Sequence, residues 1–92
     1  MTQTTNRRLE IVNVKGLHAR ASAKLVEVVE GFDATAEVSR NGQSASGDSI
    51  MGLLMLAAAM GTTIDVETRG PDAEALADAV AALVAARFGE DM

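Results

Sequence analysis

The chain has 92 residues, a formal charge of −5 and no cysteine. That length suits one domain with one modest core. The missing thiols exclude disulfides, thiolate metal sites and thiol catalysis. The acidic balance argues against nucleic acid, whose binding rewards dense Lys and Arg. Apolar residues make up 48% of the chain and aromatics only 2%, so Ala, Val, Leu, Ile and Met must build the core.

Met1 to Glu10 is polar and carries Arg7 and Arg8 with no apolar stretch behind them. It does not read as a signal peptide, and residues 1–6 are expected to fray. Arg8-Leu9-Glu10-Ile11 alternates and begins a first strand. A loop, Lys15 to Arg20, leads into a helix predicted over Ala19 to Glu30, with Ser22, Leu25, Val26 and Val29 on one face and Gly31 closing it. Ala34, Ala36 and Val38 alternate with Thr35, Glu37 and Ser39 as a second strand. Asn41-Gly42 is a hairpin signal, because both residues tolerate positive φ. Gln43 to Ser46 is then a short third strand.

A second helix is predicted over Ile50 to Ala59, ending near Gly61. The apolar run from Ile50 to Met60 is interrupted by Gly52 and is too short to span a bilayer. Ile64, Val66 and Thr68 mark the clearest strand. Gly70-Pro71 opens a third helix, with Pro71 expected at its first position and Asp72 and Glu74 in its first turn. Leu76, Val80, Leu83, Val84 and Phe88 form its apolar stripe. Residues 89–92 are expected to fray. Asp72, Glu74, Asp78 and the tail pair Glu90-Asp91 read as solvated charge with no chemistry. The order is β-α-β-β-α-β-α. It predicts a single α/β (α+β) domain over 1–92, an open-faced sandwich. Its four-stranded, mostly antiparallel sheet carries three helices on one face.

His18 is the only histidine. A lone histidine is more often a surface cap than a reactive group. Its setting alters that balance. It stands where the free N–H groups of a helix point outward, a ready anion site. Arg20 can reach a phosphate with a planar fork of donors, and Lys15 adds a second cation. Gly16 lets the backbone approach closely. A phosphoryl group on the ring would be held by backbone amides at Gly16 and Ala19, by Arg20 and by Lys15. One histidine with scattered carboxylates is no metal-ligand set, and no cofactor is called for.

The second helix is apolar nearly all round, more than one buried stripe requires. Its spacing gives Ile50, Leu53, Leu56 and Ala57 to the core or its margin, while Met51, Leu54 and Met55 drift around the cylinder. Exposed methionines suit a surface that fits several partners. Ser49 reads first as an ordinary N-cap. Two rival functions fit parts of this pattern. A small enzyme such as an acylphosphatase would use the loop as a phosphate cradle, with Asn13 or Glu10 positioning water. A regulatory binding module would make docking the output and phosphate its signal.

Three ordered motifs resemble one known family. Gly16-Leu17-His18-Ala19-Arg20, then Asn41-Gly42-Gln43-Ser44-Ala45-Ser46, then Ser49-Ile50-Met51-Gly52 are similar, in sequence and spacing, to HPr. HPr is the histidine-containing phosphocarrier protein of the bacterial phosphotransferase system, which includes a nitrogen-related regulatory form. The resemblance runs from about Leu9 to Phe88. It implies phosphorylation of His18 at Nδ1 by enzyme I, which takes the group from phosphoenolpyruvate, and onward transfer to IIA-type domains. It implies that Arg20 neutralises the phosphate and that Ile50, Met51 and Leu54 form the partner-docking surface. It implies that Ser49 is the target of a serine kinase/phosphorylase. The chain would then be a cytoplasmic, monomeric, stoichiometric carrier without turnover of its own, serving either sugar transport or the regulatory branch, with no nucleic-acid or membrane-inserted role. Two positions depart from the family's pattern. Ala21 stands where most members have proline, and Lys15 replaces a smaller polar residue.

Overall fold

The computed structural model describes residues 3–92; Met1 and Thr2, among those expected to fray, lie outside the described residues. Alternation builds the sheet. In β2 (Thr35–Arg40) Ala36 and Val38 are buried while Thr35 and Glu37 face water. In β4 (Thr63–Arg69) Ile64, Val66 and Thr68 are buried. With β1 (Thr4–Glu10) and β3 (Gln43–Ser46) they form one sheet in the order β1-β4-β2-β3, every adjacent pair antiparallel. The register sets Val38 opposite both Ala45 and Val66 on the inner face. Asn41 and Gly42 both take positive φ, 51° and 80°, as the two-residue hairpin requires.

Three helices, α1 (Ala19–Glu30), α2 (Ile50–Met55) and α3 (Ala73–Ala85), supply the other layer. Helix α3 packs on β1 and β4, α2 lies by β3, and α1 packs against both other helices. Leu25, Leu53, Leu56, Leu76, Val80 and Phe88 join Ile11, Val38, Ile64 and Val66 in one core. The open-faced sandwich expected from the sequence is the observed fold. Among the described residues no helix is long and apolar enough to cross a membrane.

The differences lie at element ends. Strand β1 begins at Thr4, because β4 runs on to Arg69 and offers Thr4, Thr5 and Asn6 partners in Arg69, Thr68 and Glu67. Fraying over 4–6 is therefore not observed. Helix α2 stops at Met55, four residues before the expected Ala59. Ala57 adopts φ 51°, and the turn frees Ala58, whose carbonyl accepts the N–H of Leu17. Helix α3 begins at Ala73 with Asp72 as its cap residue, so Pro71 precedes the helix rather than opening it. The Asp72 carboxylate accepts the N–H of Asp33 instead of capping its own helix. Phe88 is core, as expected, but it lies beyond α3. Arg87, Phe88 and Gly89 all have positive φ and turn the tail back over the protein.

Candidate functional site

The loop between β1 and α1 is organised by a buried polar side chain. Asn13 is fully buried. Its carbonyl accepts the N–H of Gly16 at 3.2 Å, and its Nδ2 donates to the Gly16 carbonyl at 2.8 Å. These two bonds bracket a tight turn that leaves Val14 and Lys15 exposed. Gly16 has φ 67°, and a Cβ there would lie 2.5 Å from the Ala58 carbonyl oxygen, so only glycine fits. Leu17 is buried, and its N–H donates to that same oxygen at 2.9 Å. The loop is thus fastened to the segment that ends α2.

His18 follows as the N-cap of α1. Its Nδ1 accepts the N–H of Arg20 at 3.2 Å, while Ser22 N–H donates to the His18 carbonyl at 2.8 Å as the first helical bond. The amides of Ala19 and Ala21 therefore precede any helical acceptor. Ala21 is fully buried and keeps an N–H that proline would lack.

The hydrogen bonds define the ring's tautomer. A backbone N–H can only donate, so Nδ1 carries a lone pair and no proton. Nε2 then carries the hydrogen, and it faces Oε2 of Glu90. The other carboxylate oxygen of Glu90 accepts from Asn13 Nδ2 at 2.9 Å. Hydrogen bonds from Asn13 and then His18, with the positive charge of Lys15 adding, hold the Glu90 carboxyl below its usual range. Asn13 Oδ1 is buried and finds no partner among the described residues, yet the amide's orientation is decided, since both of its acceptors need the N–H end.

Lys15 and Arg20 line an open groove of about 360 Å³ together with Val14, Lys24 and tail residues 89–92. Lys24 Nζ donates to the Phe88 carbonyl at 2.6 Å and fastens the tail there. On the other side of the ring, Leu54 and Ala57 share a shallow pocket with Lys15, Leu17 and His18. Ser49 caps α2 through a bond from Gly52 N–H to its Oγ at 3.0 Å. Between Ser49 and the histidine loop runs the surface of α2, with Met51 70% and Met55 74% exposed. Ile50, expected in the core or at its margin, is 39% exposed and joins them, and Ala57 is exposed too. Within α2 only Leu53 is buried, and Leu56 follows it inward just past the helix end.

The structure thus gathers Lys15, Gly16, His18, Ala19 and Arg20 at one helix N-terminus, with Leu54 alongside and Ser49 at the far end of α2. Sequence reasoning missed Glu90 and undervalued Asn13. Glu90 lies 72 residues from His18, beyond the periodic stripe of α3, and no local pattern points it at the ring.

Comparison with known proteins gives the family. Residues 5–86 match the PTS-HPr family model, described as the PTS HPr component phosphorylation site. The chain belongs to the HPr family of phosphocarriers. It is 51% identical to phosphocarrier protein HPr of Cupriavidus necator over 80 residues, 87% of this chain and 90% of that one. It is 42% identical to phosphocarrier protein NPr of Escherichia coli K12 over 89 residues, 96% and 99% of the two chains. Among solved structures, HPr-C-His from Thermoanaerobacter tengcongensis superposes with a TM-score of 0.90 at 30% identity, covering 96% of this chain and 99% of that one.

Proposed function

We propose that this HPr-type chain accepts a phosphoryl group from enzyme I on Nδ1 of His18 and hands it to a IIA-type domain. The observation that carries the reading is the ring itself: an unprotonated Nδ1 at the positive end of α1, with Arg20 beside it. In the forward step the Nδ1 lone pair forms a bond to phosphorus. The bond from phosphorus to the donor breaks, and its electron pair stays with the donor. The phosphoryl oxygens then replace Nδ1 as acceptors for the first-turn amides. A helix N-terminus favours such an anion by roughly 0.3–1 kcal/mol at a surface. Arg20, whose guanidinium makes no hydrogen bond or ion pair among the described residues, supplies the countercharge, and Lys15 adds to it from the loop.

Partners dock on the apolar surface of Ile50, Met51 and Leu54. Its place beside the ring lets a partner cover apolar side chains while presenting its own reacting group to His18. The reading carries with it a cytoplasmic, monomeric carrier that is consumed and regenerated rather than turning over. The rival hydrolase needs a free group to position water. Asn13 is instead fully buried, with its amide committed to Gly16 and Glu90. The regulatory reading keeps one specific support: the docking surface does not depend on phosphate, so binding can serve as an output by itself.

The decisive experiment is incubation with phosphoenolpyruvate and enzyme I, followed by mass spectrometry. An acid-labile phosphate is expected on His18 and none on the His18→Ala chain. Phosphate on another residue, or on His18→Ala, overturns the reading.

Ser49 is the proposed target of a serine kinase/phosphorylase. Phosphoserine adds about −1.5 to −2 charges at the edge of the docking surface. Ser49→Asp is expected to slow phosphorylation by enzyme I roughly 3- to 10-fold at low ionic strength, and less in high salt. Unchanged kinetics across salt would rule out the electrostatic switch.

A further inference from the structure

The tail was expected to fray, yet Glu90 is held at two points. Its two carboxylate oxygens serve different partners, Oε1 accepting from Asn13 and Oε2 facing Nε2 of His18, which fixes the plane of the group. The anchor is rigid, because Asn13 is fully buried and also clamps the Gly16 carbonyl. Two residues back, Phe88 is buried in the core and its carbonyl accepts from Lys24. The Glu90 and His18 side chains are only 16% and 26% exposed, so water competes weakly for this contact.

We propose that Glu90 is a positioning residue for phosphoryl transfer, holding the Nε2 proton of His18 so that Nδ1 is the nitrogen that takes and releases the group. The inference rests on the reading of His18 as the phosphoryl acceptor. A free neutral imidazole divides between two tautomers, and only one leaves a lone pair on Nδ1. A carboxylate on the far nitrogen selects that tautomer and orients the ring, as the buried carboxylate does in the serine-protease triad.

The same contact acts in both directions of transfer. When the Nδ1–P bond forms, Nε2 keeps its proton and the ring gains positive charge, which the carboxylate offsets. When the group moves on, the Nδ1–P bond breaks and its electron pair returns to Nδ1. The ring then leaves as neutral imidazole, because the Nε2 proton never departed. A phosphorylated ring stripped of that proton would have to leave as imidazolate, a far poorer leaving group. The charged groups near the ring are Lys15, Arg20 and Lys24 and, from the tail, Glu90 and Asp91, all lining the groove, while α2 and the turn after it bring only the uncharged Leu54 and Ala57. Arg20 and Lys15 serve the phosphoryl oxygens, Lys24 is committed to the Phe88 carbonyl, and Glu90 serves the Nε2 edge of the ring.

The test compares the full wild-type chain with Glu90→Gln, which keeps size and removes charge. Nitrogen-15 NMR of the unphosphorylated ring should show the Nε2–H tautomer in wild type and a mixture in the variant, because the long 3.2 Å bond from Arg20 N–H to Nδ1 does not hold the tautomer without the carboxylate. On the phosphorylated chains, the pH profile of phosphate loss should move to lower pH in Glu90→Gln, because the phosphorylated ring then gives up its Nε2 proton more readily. Transfer to the IIA-type acceptor should slow about five- to tenfold, the scale of one net hydrogen bond. The KM for enzyme I should stay the same. Identical tautomers, pH profiles and rates within twofold would overturn the role of Glu90 while leaving His18 as acceptor. A wild-type chain with no phosphate on His18 would instead overturn the underlying reading.

Discussion

Gly16→Ala is expected to cost about 2–5 kcal/mol of folding stability, read as a fall in the urea midpoint with little change in slope. Two penalties combine. An L residue at φ 67° carries roughly 1–2 kcal/mol of left-handed strain. The added methyl would also meet the Ala58 oxygen at 2.5 Å and the Ala59 Cα at 2.9 Å. Both are backbone atoms and cannot rotate away. Moving them would stretch the bond from Leu17 N–H to Ala58, which fastens the histidine loop to the end of α2. A chain of this length has about 5–14 kcal/mol in total, so the loss is a large share. Gly42→Ala is the control, since Gly42 has φ 80° but a methyl added there would have nothing within 4 Å. It should cost only the backbone strain. Equal losses at the two sites would mean that the close approach at Gly16 stores no strain. Phosphorylation of whatever Gly16→Ala remains folded should also fall steeply, because a displacement near 1 Å at a reacting atom can cost about 100-fold.

What the sequence displayed and what it hid divide by the range of the interactions. Helix α1 was legible to the residue. Its apolar stripe, its cap and Gly31 are local signals, and no distant contact overrides them. The Asn41-Gly42 hairpin was legible for the same reason: two neighbouring residues decide it. The end of α2 was not. Ala57, Ala58 and Ala59 are good helix formers, and what ends the helix is the demand of Leu17, forty-one residues earlier, for the Ala58 carbonyl. Tertiary bonding there overrides propensity. Pro71 was misplaced by a similar competition, because Asp72 commits its carboxylate to Asp33.

The site shows the same division. Gly16, His18 and Arg20 are close enough in sequence to read as an anion-binding helix start, whereas the carboxylate that completes the ring's surroundings arrives from the other end of the chain. Its arrival depends on three successive residues in the left-handed region, Arg87, Phe88 and Gly89. Two of these are not glycine, so turn chemistry alone gives no warning. The folded core supplies what local preference lacks, since Phe88 can reach its buried place only through that reversal.

Phe88→Ala should therefore report on fold and site together. Phe88 is the largest fully buried side chain, and its truncation in a packed core costs about 3–5 kcal/mol. The strain at φ 54° is not relieved, since alanine dislikes the left-handed region as phenylalanine does. Without the ring the reversal is offset by less burial, and the tail has an easier response than global unfolding: it can lift away from α1 and the loop. If it stays docked, the full loss appears in the urea midpoint. If it lifts, hydrogen exchange should reveal fast opening of residues 86–92, and the measured loss is capped at the docking free energy of that segment. Lifting, the easier response, releases Glu90 from His18 and Asn13. The His18 ring of Phe88→Ala should then show the same mixed tautomers as Glu90→Gln, although residue 90 itself is unchanged. Phe88→Leu, which keeps most of the buried volume, should retain the wild-type tautomer. A Phe88→Ala chain that loses stability by about 3 kcal/mol or more yet keeps a pure Nε2–H ring would show that Asn13 alone holds Glu90 in place, and that the core does not help to aim the carboxylate.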